Sequence, residues 1–322
     1  MPTSATVHND AMLTNVSVGY KPNDFVASIL FPHVTVEKQS DKYYTIDALR
    51  EGLRQQDDAR APGAESKSAD YEVGTDTYFC NGHALHRLIP DEVRANADTV
   101  LQEDIAATEF LSDKILLNKE IALVSALETG LAAAGTTLLT LTNEWDDPIN
   151  GDPIGDIETA RGYVITGSQG RVPNTLIIPW ATYRGMRNHP DILDRFKGGA
   201  TTGSSAILTE TILAQLFDVE RIVIPKCFKN TAAHGATAVI APVWGEDDVI
   251  LAYVAPNVGR NMQTLGVTFA WDVDGAGVQG YMVEKYRHAD NDRKSDVIRA
   301  SFYYDQEIID SGCACRIANT VT

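Results

Sequence analysis

The sequence predicts an α+β fold in which a compact α/β unit is inserted between two parts of one β-sheet. Three features predict it: a long charged hairpin, one long helix after it, and strand-like segments on both sides of a region where helices and strands alternate. With 322 residues, 44% of them apolar, the chain can bury a substantial core in one large domain or two closely connected ones.

The hairpin lies between residues 37 and 81 and is the most informative segment. Residues 42–46 and 71–73 contain the β-branched and aromatic side chains typical of strands, whereas residues 47–70 are charged and poor in large apolar side chains. Two strands without an apolar face are only marginally stable in water, so we expect a neighbouring molecule to order the hairpin. This feature favours an assembly protein over an enzyme.

Residues 1–34, before the hairpin, predict an extended arm. They show no periodic pattern, and Pro22 and Pro32 interrupt the apolar residues near Ile29 and Phe31. We interpret these apolar side chains as anchors of the arm.

One long helix is predicted from Leu101 to about Leu127, with Asp98 as its N-cap. Its apolar residues fall on two opposite sides at 100° per residue. One side has Leu101, Ile105, Ile115, Ala122 and Ala126, and the other has Phe110, Leu117, Ile121 and Val124. Because a surface helix shows one apolar stripe, two stripes predict a helix covered on both sides, as in a thin structure. A helical hairpin in a thick core is the alternative.

An α/β unit is predicted over residues 161–262, where helices and strands alternate. Helices are expected near residues 154–165, 180–188, 190–196 and 208–217, and strands near 175–178, 219–224 and 244–254. Four β-like segments follow, at residues 267–271, 281–286, 296–304 and 313–318. We expect these last four to pair with strands near residues 77–89, so that one sheet forms from both ends of the chain.

Composition excludes several functional classes. The 27 basic and 44 acidic side chains give a formal charge of −17, and no basic stripe is visible, so direct DNA binding is not expected. Four cysteines are too few for a disulfide framework and suit a reducing cytosol. No apolar run is long enough to span a membrane, and the first residues lack the pattern of a signal peptide.

Candidate chemical sites are weak. Cys80, His83 and His86 have no fourth metal ligand nearby and would lie on both faces of a strand. The segment 272–277 begins like a calcium loop but lacks ligands at later positions, and the glycines of 198–203 lack the lysine of a phosphate-binding loop. Cys313 and Cys315 would lie on the same face of one strand, and we interpret them as two small buried residues rather than as a redox pair. No catalytic residue, cofactor or metal is therefore predicted.

Several segments, in their order along the chain, resemble the major capsid proteins of tailed bacteriophages, whose fold is shared with herpesvirus capsid proteins. They are residues 60–63, 75–80, 89–98, 177–192 and 303–305. The resemblance covers nearly the whole chain. It implies a tailed-phage major capsid fold, with an N-terminal arm, an extended β-hairpin loop, a peripheral domain with a spine helix and β-sheet, and an inserted α/β axial domain.

The resemblance also implies domain boundaries. Residues 1–34 would be the arm, 35–82 the extended loop, 83–160 the peripheral domain with its spine helix, 161–262 the axial domain, and 263–322 the return strands of the peripheral domain.

The implied function is a structural subunit that self-assembles as hexamers and pentamers into an icosahedral head shell. Its implied partners are other copies of the chain, a portal protein at one vertex, a decoration protein, and double-stranded DNA enclosed without sequence-specific binding. Since only some thirty residues precede the loop, the resemblance implies a separate scaffolding protein, or none. We expect contacts between subunits from apolar arm residues and from loop residues, namely Phe25, Ile29, Phe31, Arg50, Arg54, Arg60, Pro62, Gly63 and Lys67.

Two alternatives remain open at this point. One is the shell protein of an encapsulin nanocompartment, which has the same fold and holds cargo in a cell. The other is an acidic α/β hydrolase of unknown substrate.

Overall fold

The computed structural model describes residues 8–9, 25–45, 53, 55, 57–60, 62–63, 65–68, 74–96, 100–197, 209–257, 263–273, 281–290 and 292–322. Within them lie seven α-helices and a 3-10 turn at Ser311–Cys313. The helices are α1 (Ala27–Leu30), α2 (Asp91–Asn96), α3 (Val100–Gly130), α4 (Pro153–Gly167), α5 (Trp180–Arg187), α6 (Pro190–Lys197) and α7 (Glu210–Leu216).

The same residues form fifteen strands. They are β1 (His8–Asn9), β2 (His33–Val36), β3 (Ser40–Tyr44), β4 (Thr75–Phe79), β5 (Asn81–Pro90), β6 (Leu138–Thr140), β7 (Thr175–Ile177), β8 (Arg221–Val223), β9 (Phe228–Asn230), β10 (Ile240–Pro242), β11 (Val249–Ala252), β12 (Gly266–Trp271), β13 (Tyr281–Arg287), β14 (Ser295–Ile308) and β15 (Ala314–Ala318).

The first sheet is built around the long strand β14. Strand β5 pairs with it antiparallel from Ser295 opposite Pro90 to Tyr304 opposite Asn81, while β13 and β12 pair with successive parts of the same strand. Strand β2 extends the sheet in parallel beside β12, and β1 pairs with β13. The prediction that late strands pair with strands near residues 77–89 is confirmed for β14, which pairs with β5.

The second sheet has the order β6, β15, β11, β7, β8 and belongs to the α/β region. Its apolar side chains, among them Leu176 and Leu251, pack with Ile157 and Val164 of α4 in one core. Helix α4 begins where Asp152 accepts a hydrogen bond from the amide of Gly155 at 2.9 Å, as expected of an N-cap.

Strand β15 corrects one prediction. Residues 313–318 were expected to join the first sheet, but β15 pairs antiparallel with β11 and parallel with β6 in the second. Ala314, Cys315 and Ile317 are all fully buried. Such an apolar run predicts an interior strand without saying in which sheet it lies.

The long helix α3 has 31 residues, a length of about 46 Å. In its first half Ala107, Leu111 and Ile115 pack against the first sheet. In its second half Leu123 and Leu127 are buried in another core, which also includes residues of the arm.

The predicted pair of opposite stripes on this helix is wrong in the first half, where Phe110 is 52% exposed. Farther along, Leu117, Ile121 and Val124 are half-buried against the second core. The helix passes from one core to another, so its buried side changes along its length. The predicted N-cap, Asp98, lies outside the described residues.

The charged hairpin is present, and its base has more support than predicted. Strands β3 and β4 pair antiparallel, from Ser40 opposite Phe79 to Tyr44 opposite Thr75. The Tyr78 ring stacks on Phe269 of β12 with centroids 4.5 Å apart, and Tyr43 lies 5.4 Å from the same ring. The base of the hairpin therefore packs on its own subunit. The return strand predicted at residues 71–73 lies outside the described residues.

Candidate assembly surfaces

The arm residues predicted as contacts differ in exposure. Phe25 and Ile29 are half-buried and pack at the edge of the core that holds α1. Phe31 is fully buried in that core, and its ring fills the space where a side chain on Gly266 would lie. The short helix α1 turns the chain inward at this point. Phe31 therefore leaves no surface for a neighbouring subunit, and its predicted contact role is not retained.

The backbone of the arm is bound by Glu120, a fully buried residue of α3. The amides of Val26 and Ala27 donate hydrogen bonds to its Oε1 at 3.0 Å and its Oε2 at 2.8 Å. Trp244 Nε1 donates a third bond to Oε1 at 2.6 Å. Burial raises the pKa of Glu120, and the three donors and Lys119 oppose that rise.

Lys119, the preceding helical residue, points to a different side of α3. Its Nζ lies 2.9 Å from His33 Nε2, and it sits over the rings of Phe302 and Tyr304 at 5.3 and 5.7 Å from their centroids. The residue is only 1% exposed, and burial lowers the pKa of its amine to about 7. The rings give the charged form partial compensation for lost hydration.

The predicted loop residues that the structure describes are all exposed: Arg60, Pro62, Gly63 and Lys67. Gly63 has a φ of +82°, a left-handed conformation that favours glycine and turns the loop. Lys67 forms an ion pair with Asp57 within the loop. Two further predicted residues, Arg50 and Arg54, lie outside the described residues.

An apolar groove opens on the α/β region, with a volume of about 410 Å³. Its lining includes Pro179, Trp180, Phe228 and Trp244. Trp180 is 54% exposed and Phe228 is 58% exposed, and nearby on β10 Ile240 is 63% exposed. Clustered exposure of this kind marks binding surfaces.

The groove was not predicted from the sequence. Its lining comes from segments far apart in the chain. Strands β9 and β10 were not predicted as a hairpin, so Phe228 and Ile240 were not expected to lie close together.

Ion pairs connect helices α2 and α3 to strands β13 and β14 of the first sheet. Arg94 pairs with Asp296 and, at 2.7 Å, with Asp104, which also pairs with Lys285 at 2.5 Å. Arg287 contacts Asp296 at 3.0 Å. Arg94 and Asp104 are 18% and 7% exposed, so the network is largely shielded from water. It fixes where the sheet ends relative to the long helix.

Cys80 and His83, two of the weak candidates for a metal ligand, make packing contacts within the first sheet and its neighbours. Cys80 is buried, and its thiol lies 3.5 Å from the carbonyl of Phe269, while His83 stacks on Tyr304. No group of three His, Cys, Asp or Glu side chains suited to a metal ion occurs among the described residues. Most of the segment 272–277 and all of 198–203 lie outside the described residues.

Among the described residues, no helix has the length and apolar character needed to cross a membrane.

Comparison with known sequences identifies two phage relatives, each called a major capsid protein, although no family model matches the chain. The protein of Burkholderia phage BcepMu is 26% identical over 257 residues, which are 79% of this chain and 79% of the relative. The protein of Pseudomonas phage JBD67 is 26% identical over 265 residues, which are 81% of this chain and 82% of the relative.

Solved structures share the fold over almost the whole chain. A phage-related protein from Bordetella bronchiseptica RB50 is 22% identical, with a TM-score of 0.74 and 98% of both chains covered. The capsid of cyanophage P-SCSP1u gives a TM-score of 0.57 at 10% identity, covering 93% and 89% of the two chains. The SrpI encapsulin complex of Synechococcus elongatus PCC 7942 gives 0.52 at 13% identity, covering 99% and 92%. The predicted resemblance to phage major capsid proteins and the predicted capsid fold of mixed helices and sheets are confirmed.

Proposed function

We infer that this chain is a major capsid protein, a structural subunit that self-assembles into the head shell of a phage. The observation that carries this conclusion is its similarity to two phage major capsid proteins over 79% and 81% of its length. Its location is the virion, and its role is structural rather than enzymatic. The hydrolase alternative has no support from these relatives.

We propose that hexamers and pentamers form through two kinds of surface. The exposed loop offers charged side chains such as Arg60 and Lys67, and each exposed pair with a neighbour would contribute only about 0–1 kcal/mol. The apolar groove with Trp180 and Phe228 offers area that a neighbouring copy would cover. Many weak contacts of this kind let a misplaced subunit leave before the shell closes.

The proposed division of the chain keeps an arm at 1–34, a loop at 35–82, a peripheral domain at 83–160, an axial domain at 161–262 and return strands at 263–322. We modify it by assigning β6 and β15 to the axial domain, because β15 pairs with both β6 and β11 in the second sheet.

The proposed partners follow from the same role. They are a separate scaffolding protein or none, a portal protein at one vertex, a decoration protein, and double-stranded DNA enclosed without sequence-specific contacts. A net charge of −17 supports the last point, since an acidic wall does not retain a polyanion that must later leave.

An encapsulin shell is the second candidate, and it is favoured only by the shared fold. Purified particles distinguish the two. A cargo enzyme inside shells from the native source would support the nanocompartment, and packaged DNA would support the phage head.

Size-exclusion chromatography with light scattering, followed by negative-stain imaging, tests the assembly role. We expect rings, tubes or closed shells from the expressed chain, alone or with its scaffolding protein. A species that stays monomeric at high concentration with that partner present would contradict the capsid function.

A loop replacement tests the assembly surface. Replacing residues 50–70 with a Gly-Ser linker of equal length should leave a folded subunit that does not close shells, because the linker removes the charged contacts but keeps the connection. Normal shells from this variant would overturn the role of the loop.

A further inference from the structure

We propose that Lys119 and Glu120 are positioning residues that hold the root of the N-terminal arm, residues 26–33, at both of its ends. They fix the position of this segment along α3. The consequence for assembly rests on the proposed function, since the position of this segment matters for assembly only if the chain forms shells. The contact itself does not depend on that function.

The first end is held through the backbone. Glu120 accepts hydrogen bonds from the amides of Val26 and Ala27 at 3.0 and 2.8 Å, 93 or more positions away in sequence. Trp244 Nε1 donates to the same carboxylate and holds it in one orientation. Because amides and not side chains are bound, the carboxylate fixes the position of the backbone along α3.

The second end is held at His33, the first residue of β2. Lys119 Nζ lies 2.9 Å from the His33 ring, and Phe302 and Tyr304 enclose the lysine. Among the described residues, His33 and Tyr304 are ionisable groups that contact Lys119. Successive residues of a helix point about 100° apart, so one turn of α3 reaches both ends of the same segment.

Apolar packing could hold the middle of residues 26–33 against the core without the buried ionisable groups of Lys119 and Glu120. Leu30 and Phe31 are fully buried and supply the apolar contact. Replacing buried ionic groups with apolar ones is often neutral or stabilising, so two adjacent buried ionisable residues are a poor choice for stability alone. Directional hydrogen bonds instead prevent the segment from sliding, which is the role assigned here.

Two substitutions at position 120 test the proposal. Glu120→Gln replaces one acceptor oxygen with an amide group that cannot accept from a backbone amide. Glu120→Asp keeps the charge but shortens the side chain by one methylene, so that it cannot reach both amides. Glu128→Gln, an exposed change on the same helix, is the matched control.

Hydrogen exchange of a peptide covering residues 25–33 is the primary measurement. We expect exchange about ten to a hundred times faster in both position-120 variants, while peptides from β14 and the control variant keep wild-type rates. Wild-type exchange at residues 26 and 27 in either folded variant would overturn the proposal. If Glu120→Gln does not fold, Glu120→Asp decides alone.

Shell assembly is the second measurement. We expect both variants to give irregular or unclosed particles where wild type closes shells under the same conditions. Faster exchange with normal shells would overturn the positioning role in assembly. If wild type itself forms no particles, the proposed function is wrong. The exchange experiment still tests whether Glu120 holds residues 26 and 27 in place.

Discussion

Lys119 shows how one buried residue links stability to pH. The residue is only 1% exposed, and burial lowers the pKa of its amine from the usual 10.5 to about 7. A lysine with a lowered pKa binds fewer protons when folded than when unfolded. The free energy of unfolding therefore rises with pH between about 7 and 10.5, by at most about 1.4 kcal/mol per pH unit.

We expect wild type to gain stability over Lys119→Met as pH rises from about 7 to about 9.5. Urea unfolding at several pH values measures the difference, and the comparison cancels titrations that the two proteins share. A difference that stays constant or falls over this range would contradict the lowered pKa.

Gly266 makes a second prediction at the residue scale. A Cβ at this position would meet the ring of Phe31, which is fully buried. Gly266→Ala should therefore destabilise the subunit by about 1–3 kcal/mol through overpacking. Gly162→Ala is the matched control, because nothing lies within 4 Å of its added Cβ in helix α4. Thermal unfolding compares them, and equal midpoints for the two variants would disprove the close approach.

Among the elements, those with strong local signals were predicted best. The helices near 154–165 and 190–196 and the strand near 83–89 correspond to α4, α6 and β5. Their caps, prolines and alternation depend on neighbouring residues only. Strand partners depend on the whole fold, which is why β15 was placed in the wrong sheet.

The candidate surfaces were less predictable than the elements. Burial of Phe31 and exposure of Phe110 both reverse what their sequence contexts suggest. Whether an apolar residue faces the core or another subunit is decided by distant segments such as β12. The role of Glu120 had no sequence signal, because its partners are backbone amides far away.

The ion network between α2, α3 and the first sheet makes a prediction at the element scale. Arg94→Met leaves Asp104 and Asp296 with fewer cations in a shielded site, so we expect a loss of about 2 kcal/mol. Arg293→Met, which removes an exposed pair with Asp290, should change stability by less than about 1 kcal/mol. Denaturant unfolding measures both changes, and an equal effect of the two would show that the network is not shielded.

In the whole molecule, the apolar groove on the α/β region is the surface that a neighbouring subunit would cover in an assembled shell. Changing Phe228 and Ile240 to serine should leave the subunit folded and more soluble but unable to close shells, because it removes exposed apolar area. Ile149→Ser is the control, since that side chain is 86% exposed and lies elsewhere. Light scattering and imaging report the outcome. Normal shells from the double variant would exclude the groove as a subunit contact.

The placement of β14 and β15 bears on the order of events during synthesis. Both strands come late in the sequence, yet each lies inside its sheet, with β5 beside one and β11 beside the other. Neither sheet can be completed until the ribosome has made these strands, and contacts so distant in sequence form slowly. A chain that stops early therefore lacks the inner strands of both sheets. We expect such a product to remain unfolded and therefore to be unable to join a shell.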